Sequence, residues 1–357
     1  MRYFAERALL PEGWADNVVF NVGADGVIAA VASGQPCPPG AERLRGPVVP
    51  GMPNLHSHAF QRAMAGLTEF RGHPQDSFWT WRDLMYRFAG RFTAQHMQDV
   101  ARWLYIEMLR SGYTAVAEFH YLHHDVDGRR YQRHDEMSHR LVEAAGEAGI
   151  GLTLLPVLYA FSGFGEQPAR PEQRRFLHGV EDYALLLNGL QARYAGQAQV
   201  RVGVALHSLR AVGALQITGA LQALDAVDAQ APIHIHIAEQ QAEVQDCLRW
   251  SGQRPVNWLY ERAAVDARWC LVHATHLDDE EMRQIAASGA VAGICPSTEA
   301  NLGDGIFPAR AYLDAAGPSR WGIGSDSHVT VDAADELRLF EYGQRLAHRR
   351  RAVLAEA

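Results

Sequence analysis

The sequence predicts an α/β protein whose main part is a (β/α)8 barrel of the TIM type, with a small β subdomain at its N-terminus. From about residue 48 onward, short and almost continuously apolar segments alternate with segments of helical periodicity, as in parallel strands joined by helices. Polar residues, mainly histidines, recur where these apolar segments end. Barrel enzymes build their active sites at that end of the strands, which favours the barrel over a doubly wound sheet.

The first 47 residues have a β pattern of their own. Two valine-rich segments, 17–22 and 27–32, flank the glycine-containing segment 23–26, which is a hairpin signal. We therefore predict a small β subdomain over 1–47 and the barrel over 48–357.

The barrel region contains eight predicted strands separated by amphipathic helices. Three connections between them are long, and long loops after barrel strands often act as lids or specificity elements. For the loop at 161–175, a plain surface insertion fits equally well. The predicted strands are 48–58, 114–120, 151–159, 200–207, 232–239, 269–273, 290–295 and 321–326; the helices include 95–111, 134–149, 172–194, 215–229 and 332–348; the long loops are 68–91, 120–134 and 161–175.

Composition excludes several classes of function. The formal net charge of −8, without a basic stripe, argues against a nucleic-acid partner. No apolar run reaches about 18 residues and no signal-peptide pattern is present, so we expect no membrane partner. The four cysteines are scattered without a CxxC pair, which predicts a cytoplasmic location and excludes a cysteine zinc cluster.

The absence of lysine is also informative. All 33 Lys+Arg residues are arginine. This excludes Schiff-base chemistry, a P-loop, and a pair of metal ions bridged by a modified lysine. A codon bias towards arginine is the simpler cause, but the chemical exclusion holds in either case.

The segment 232–239, Pro-Ile-His-Ile-His-Ile-Ala-Glu, places two histidines on one strand. Alternation along the strand directs His234 and His236 to the same face. Glu239 has the opposite parity, so it joins them only if the strand ends near residue 237 and the chain turns. Histidines that only make hydrogen bonds within a buried strand would give the same pattern. The residues at the ends of the other strands favour a metal site over this alternative.

Ligand-type residues end two further strands. His56 and His58 close the first strand with the same spacing, and Asp326 follows the eighth. Together with His236 they offer three imidazoles and a carboxylate, a set that suits one Zn²⁺ ion, with Fe²⁺ or Mn²⁺ as alternatives.

A metal at these strand ends would activate water for hydrolysis. Glu239 and Asp326 could then move protons, and His273 could polarise or orient the attacked group. The GxSxG and HExxH patterns of other hydrolases are absent, as is the HxE…PCxxC pattern of the small zinc deaminases.

The motifs resemble those of the amidohydrolase superfamily: HxH after strand one, His three residues before Glu after strand five, His after strand six and Gly-Ser-Asp after strand eight. Without lysine, the chain resembles the mononuclear branch. The segments 54–64, 119–124, 207–212 and 297–305 are similar specifically to the formimidoylglutamate deiminase family, and the resemblance covers essentially the whole chain. That family converts N-formimidoyl-L-glutamate and water to N-formyl-L-glutamate and ammonia in bacterial histidine degradation.

The resemblance implies a role for each matching position. Arginine binds carboxylates well, so Arg82 and Arg210 are expected to bind the two carboxylates of the substrate. Which arginine binds which carboxylate stays open. The roles of His120, His123, His124, His234 and His328 stay open. The implied zinc ligands are His56, His58, His236 and Asp326; the implied catalytic residues are Glu239, His273 and Asp326; the implied substrate-binding residues are Gln61, Arg82, Tyr121, His207 and Arg210.

Members of the superfamily normally continue past the eighth strand with a helix and strands that complete the β subdomain. Because this chain ends at Ala357, we expect either a C-terminal truncation or another closure of that subdomain. A homodimer acting on a small carboxylate-bearing molecule is expected. Two alternatives stay open: another mononuclear aminohydrolase acting on a purine- or pyrimidine-type ring, and an inactive truncated homologue.

Overall fold

The computed structural model describes residues 1–68, 78–316 and 320–355, arranged as two compact units, Met1–Met52 and Pro53–Ala357. The first unit is a four-stranded sheet with a small core of Ala5, Ala8 and Val18. Its strands are β1 (Arg2–Leu10), β2 (Gly13–Val22), β3 (Ile28–Ala32) and β4 (Glu42–Arg43), in the order β3-β2-β1-β4. The predicted hairpin is confirmed, because β2 and β3 pair antiparallel.

The second unit contains the predicted barrel, and the fold class is confirmed. Neighbouring strands pair in parallel around the sheet, and helical segments follow most of the strands along the chain. Its strands are β5 (Met52–Ser57), β6 (Tyr113–His120), β7 (Gly151–Leu158), β8 (Val200–Val202), β9 (Val204–Ser208), β10 (Ile233–Ile237), β11 (Trp269–His273), β12 (Val291–Ile294) and β13 (Trp321–Ile323).

Two details complete the barrel. The predicted fourth strand is broken at Gly203 into β8 and β9, which both pair with β7. A parallel bridge between Ser57 and Asp326 joins the first strand to the segment after β13, so the ring of strands closes. Strands β10 and β11 are buried at every position, which explains their continuous apolar sequence: helices cover the outer face of a barrel sheet and side chains fill the inside.

Most helices lie close to their predicted positions, but the helix predicted over 172–194 begins only at Val180, after a separate 3-10 turn at Pro171–Gln173. A second difference is a helix that was not predicted. Residues 68–91 were expected to form a loop, but 78–89 form helix α1, and 69–77 lie outside the described residues. Among the described residues, no helix has both the length and the apolar character needed to cross a membrane. The helices are α1 (Phe78–Ala89), α2 (Ala94–Arg110), α3 (Glu136–Ala148), α4 (Val180–Tyr194), α5 (Ala214–Asp228), α6 (Gln241–Ser251), α7 (Pro255–Tyr260), α8 (Asp279–Ser288), α9 (Pro296–Leu302), α10 (Ala309–Ala316) and α11 (Ala333–His348), with short 3-10 turns at Ala59–Met64 and Pro171–Gln173.

Local sequence signals fix several helix ends. Thr93 and Asp278 accept backbone N–H groups at the starts of α2 and α8. Gly149 and Gly252 end α3 and α6 in the left-handed conformation that glycine adopts without steric cost. Such sharp stops return the chain to the sheet, so each strand ends on the same side of the barrel as its neighbours.

Candidate active site

Ligand-type atoms from three parts of the barrel converge at the ends of its strands. The Nε2 atom of His56 lies 3.1 Å from Nε2 of His58 and 2.9 Å from Nε2 of His236. The Oδ1 atom of Asp326 lies 3.2 Å from His58 Nε2 and 3.5 Å from His56 Nε2. All four side chains are buried. The structure therefore brings together every residue predicted to hold the metal.

The hydrogen bonds of these imidazoles show that the cluster fits a cation. His58 Nδ1 donates to the carbonyl of Phe119 and His236 Nδ1 donates to that of His207, each at 2.8 Å. Their Nε2 atoms therefore carry lone pairs, and both face Nε2 of His56. Burial lowers the pKa of all three imidazoles, which favours the neutral form that binds metals. A proton on His56 could satisfy only one facing lone pair, whereas a metal ion would satisfy several.

Glu239 reaches the cluster through a turn that immediately follows β10. The strand ends at Ile237, and Ala238 adopts a left-handed conformation with φ of 52°. His273 and Asp326 are also left-handed, with φ of 68° and 50°. Non-glycine residues rarely adopt this conformation, and such strain concentrates at functional sites. The turn at Ala238 meets the condition under which Glu239 was predicted to join the histidines.

Glu239, His273 and Asp326 form a group of ionisable side chains beside the ligand cluster. His273 Nε2 lies 3.8 Å from Glu239 Oε1 and 3.7 Å from Asp326 Oδ2. Burial raises the pKa of Glu239 to about 7, although His273 opposes the shift. Burial alone would lower the pKa of His273, but Glu239, Glu299 and Asp326 outweigh it and raise the pKa to about 10. The group thus combines an imidazolium with carboxyl groups that can exchange protons.

One cavity contains nearly the whole predicted site. Gln61 lies on the 3-10 turn after β5 and donates to the hydroxyl of Tyr121 at 2.7 Å. Arg82 enters from α1, the helix that was expected to be a loop. His56 is the one predicted residue that does not line the cavity, because it is fully buried. The predicted residues that line it are His58, Gln61, Arg82, Tyr121, His207, Arg210, His236, Glu239, His273 and Asp326.

Positive charge accumulates at Arg82 and Arg210. Burial lowers the pKa of Arg82, and the charges of Arg210 and Arg170 contribute to the decrease. Burial also acts to lower the pKa of Arg210, but Glu243 and Glu239 raise it by more. Two guanidinium groups that repel each other electrostatically in a partly buried cavity favour an anionic ligand, because an anion offsets their charge. Carboxylates also match the geometry of the guanidinium group.

The five histidines of unassigned role divide into three locations. His328 lies behind the ligands, with Nε2 3.1 Å from Ser57 Oγ and Nδ1 3.0 Å from Ser325 Oγ. His234 is buried within β10, where burial lowers its pKa to about 3. The remaining three follow or end β6 and pack near His178, and none lines the cavity; they are His120, His123 and His124.

Comparison with known proteins gives a consistent assignment. Residues 48–356 match the amidohydrolase family, and residues 2–45 match the formimidoylglutamate deiminase HutF N-terminal domain. The chain is 60% identical over 350 residues to the formimidoylglutamate deiminase of Pseudomonas aeruginosa, covering 98% of this chain and 75% of that protein. The chain belongs to the amidohydrolase family and, within it, to the formimidoylglutamate deiminases.

Two further proteins are similar to most or all of this chain. The structure matches the crystal structure of an amidohydrolase from Brucella melitensis with a TM-score of 0.94 and 51% identity, covering all of this chain and 78% of that one. A 5-methylthioadenosine/S-adenosylhomocysteine deaminase of Haloarcula marismortui is 28% identical over 82% of this chain and 61% of its own length. As an amidohydrolase, the chain is an enzyme that hydrolyses carbon–nitrogen bonds.

Sequence reasoning missed a set of buried glutamates that hold the strand ends of this amidohydrolase. Glu118 accepts the backbone N–H of Ala59 at 2.6 Å, and Glu243 accepts those of Ala238 and Glu239 at 3.3 and 3.2 Å. Glu299 accepts the N–H of Cys295 at 2.8 Å and lies 3.3 Å from His273 Nδ1. Glutamate is usually exposed, and no sequence pattern distinguishes Glu243 and Glu299 from glutamates on a helix surface. Glu118, in contrast, lies within the apolar segment of β6, and that position was a signal that could have found it.

Proposed function

We propose that the enzyme hydrolyses N-formimidoyl-L-glutamate to N-formyl-L-glutamate and ammonia, using one Zn²⁺ ion, in histidine degradation. The observation that supports this most is the composition of the cavity, which joins a cation-binding cluster to a cluster of arginines. The substrate has the matching features: a formimidoyl group to be hydrolysed and two carboxylates to be bound. The Pseudomonas relative carries the same name as the proposed activity.

Binding follows from the charges of the cavity. Arg82 and Arg210 would hold the two carboxylates, each through paired hydrogen bonds from the guanidinium fork. Gln61, Tyr121 and His207 line the same cavity and would orient the backbone of the substrate. Fixing both carboxylates leaves the formimidoyl carbon little freedom, which places it beside the ionisable group.

The proposed metal ligands are His56, His58, His236 and Asp326. Zinc bound there supplies Lewis acidity and lowers the pKa of water towards neutrality, so that hydroxide is available at neutral pH. Iron(II) and manganese(II) are the alternatives for the same ligand set.

The protein's own side chains would then move the protons. Asp326 takes a proton from the attacking water at Oδ2 while the water oxygen bonds to the formimidoyl carbon. His273 directs Nε2 to the developing charge on the attacked group. Glu239 delivers its proton to the terminal nitrogen, which then receives the proton held by Asp326, so that the bond between carbon and that nitrogen breaks and ammonia leaves. The hydroxyl group on the carbon returns a proton to Glu239 and becomes the formyl oxygen, so ammonia leaves with a net gain of both protons of the water. The amide nitrogen of the glutamate stays bonded to the new formyl group.

The test is ammonia release by the purified, zinc-loaded protein. N-formimidoyl-L-glutamate should be hydrolysed efficiently, and S-adenosylhomocysteine, guanine and cytosine should not, because those rings offer the arginines no pair of carboxylates. Metal analysis of the same preparation should give one zinc per chain.

Two variants make the test specific. His236→Asn should lose both zinc and activity, because it removes one proposed ligand. Glu239→Gln should keep the zinc but lose turnover, because it removes only the proposed proton donor. Ammonia release from a ring compound alone would contradict the proposed substrate, and full activity of His236→Asn would contradict the proposed metal site.

A further inference from the structure

Glu299 is a buried carboxylate that touches one of the proposed catalytic residues. It lies on α9, directly after β12, and is 4% exposed. Its Oε1 atom lies 3.3 Å from His273 Nδ1 and 2.8 Å from the backbone nitrogen of Cys295. The carboxylate therefore connects the end of β11, where His273 is located, to the N-terminus of α9.

These contacts fix which nitrogen of His273 faces the carboxyl groups of the site. A carboxylate oxygen accepts hydrogen bonds, and the Oε1 atom of Glu299 lies within reach of both Cys295 N–H and His273 Nδ1, so Nδ1 of His273 donates its proton to this oxygen. Nε2 then faces Glu239 Oε1 at 3.8 Å and Asp326 Oδ2 at 3.7 Å. Cys295 N–H holds the same oxygen from a second direction, which restricts rotation of the carboxylate.

The backbone of His273 makes such an anchor necessary. His273 and the next residue, Ala274, have left-handed φ angles of 68° and 49°. The ring is therefore carried by a strained turn, and its direction depends on what holds Nδ1. Its neighbour His236 stacks on it with ring centroids 5.5 Å apart, a contact that leaves rotation about the ring axis undetermined.

We propose that Glu299 is a positioning residue for His273: its carboxylate holds the Nδ1 proton, so that Nε2 points at the reacting group. The inference rests on the proposed function, in which His273 Nε2 acts on the substrate. Glu299 does not line the cavity, so its effect is on turnover and not on substrate binding.

The test compares two substitutions at the same position. Glu299→Gln retains a carbonyl oxygen that can accept from Nδ1, whereas Glu299→Ala removes the acceptor. We expect Glu299→Ala to lower kcat about 10- to 100-fold, the usual effect of losing a partner that orients a histidine, and to leave KM unchanged. Glu299→Gln should retain clearly more of kcat than Glu299→Ala, and both should keep the zinc content of the unchanged protein.

A second readout does not depend on activity. In protein labelled with ¹⁵N-histidine, the Nδ1 proton of His273 should give a resonance that is identified by its absence in His273→Gln. We expect this resonance to persist in Glu299→Gln but to move upfield, because a neutral acceptor makes a weaker hydrogen bond than a carboxylate. It should be lost to exchange in Glu299→Ala.

Glu281→Ala is the matched control. Glu281 is equally buried and also accepts backbone N–H groups, those of Val256 and Asp278, but it lies on α8 and pairs with Arg254. This variant should be destabilised but keep its kcat and the His273 resonance.

Three outcomes would overturn the inference: unchanged kcat in Glu299→Ala, an equal loss of kcat in Glu299→Ala and Glu281→Ala, or an unshifted resonance in Glu299→Gln. If Glu299→Ala does not fold, the resonance of Glu299→Gln decides alone. Failure of the proposed function is distinguishable, because the unchanged protein would then release no ammonia from formimidoylglutamate while the resonance still reports the contact between His273 and Glu299.

Discussion

Single side chains give the cavity two opposite kinds of affinity. Three imidazoles and a carboxylate face one another within hydrogen-bond distance, and their lone pairs suit a cation. Burial lowers the pKa of Arg82, and the positive charges of Arg210 and Arg170 lower it further, so these guanidinium groups suit an anion. A substrate that carries carboxylates can satisfy the second group while its formimidoyl end meets the first.

The arginines give the first prediction at this scale. Arg82→Gln and Arg210→Gln should each lower kcat/KM for N-formimidoyl-L-glutamate by about 10- to 100-fold, because each loses a charged hydrogen bond of roughly 1.5–3 kcal/mol. The measurement is the steady-state rate of ammonia release for each variant.

A second substrate and a control residue sharpen this comparison. N-formimidoyl-L-glutamine lacks the side-chain carboxylate, so the arginine that binds this group should show almost no loss with it. Arg87→Gln removes an exposed arginine from the same helix as Arg82 and should leave kcat/KM unchanged. Equal losses for both substrates in both arginine variants would show that neither residue recognises that carboxylate.

The residues of the site were predictable to the extent that they follow strand ends. His56, His236 and Asp326 stand where apolar segments stop, so their convergence follows from the barrel itself. Glu299 and Glu243 were not predictable in this way. Their burial depends on which backbone N–H groups the barrel leaves at the ends of β10 and β12, and the sequence alone does not show these tertiary contacts.

At the scale of elements, the strands were easier to predict than the segments between them. A strand buried on both faces has a continuous apolar sequence. For this reason the predicted strand 269–273 has the same first and last residues as the observed strand β11. Helix α1 was missed because its aromatic residues resemble a binding loop and have weak helix propensity. Its Met85, Tyr86 and Ala89 nevertheless bury one face, so tertiary packing stabilises the helix.

The glycine at the break between β8 and β9 gives a prediction at this scale. A Cβ atom on Gly203 would lie 2.5 Å from the carbonyl oxygen of Pro232 and 2.8 Å from Leu155 Cδ2. Because the nearest atom is the backbone oxygen of the residue just before β10, the clash cannot be relieved by a side-chain rotation. Gly203→Ala should therefore lower the free energy of unfolding by about 1–3 kcal/mol, measured by urea denaturation.

Gly146→Ala is the matched control for that substitution. Gly146 lies inside α3, and no atom is within 4 Å of a Cβ atom built there. Alanine should raise the stability by about 1 kcal/mol, because glycine is unfavourable within a helix. A stabilised Gly203→Ala would show that strands β7 and β10 separate easily at this point.

At the scale of the whole molecule, the proposed metal ligands connect distant parts of the chain. His56 and His236 are 180 residues apart, and the backbone of Asp326 is hydrogen-bonded to the backbone of His56 and His58 at the end of the first barrel strand. A metal held by all three would stabilise the closed barrel, since it binds the folded chain and not the unfolded one.

Removal of the metal tests this link. Dialysis against a chelator should lower Tm, and added zinc should restore it; zinc at 100 times its Kd contributes about 2.7 kcal/mol. Differential scanning calorimetry with and without zinc measures the change. His236→Asn should show no increase with zinc. An increase that persists in this variant would place the metal elsewhere, for example at the group of His134, His178 and Asp182.

Buried histidines away from the ligands also predict how the whole fold responds to acid. Burial lowers the pKa of His120 to about 3, whereas an unfolded histidine has a pKa near 6.5. Between these values the unfolded chain binds a proton that the folded chain does not, so stability falls as the pH is lowered through this range. From pH 8 to pH 5 this single group should lower the free energy of unfolding by about 2 kcal/mol.

In metal-free protein, the free energy of unfolding of His120→Leu should therefore fall by about 2 kcal/mol less than that of the unchanged chain over that interval. The difference between the two proteins at pH 8, where the imidazole is neutral in both states, gives the cost of repacking alone. Parallel losses of stability from pH 8 to pH 5 would show that His120 gains its proton without unfolding.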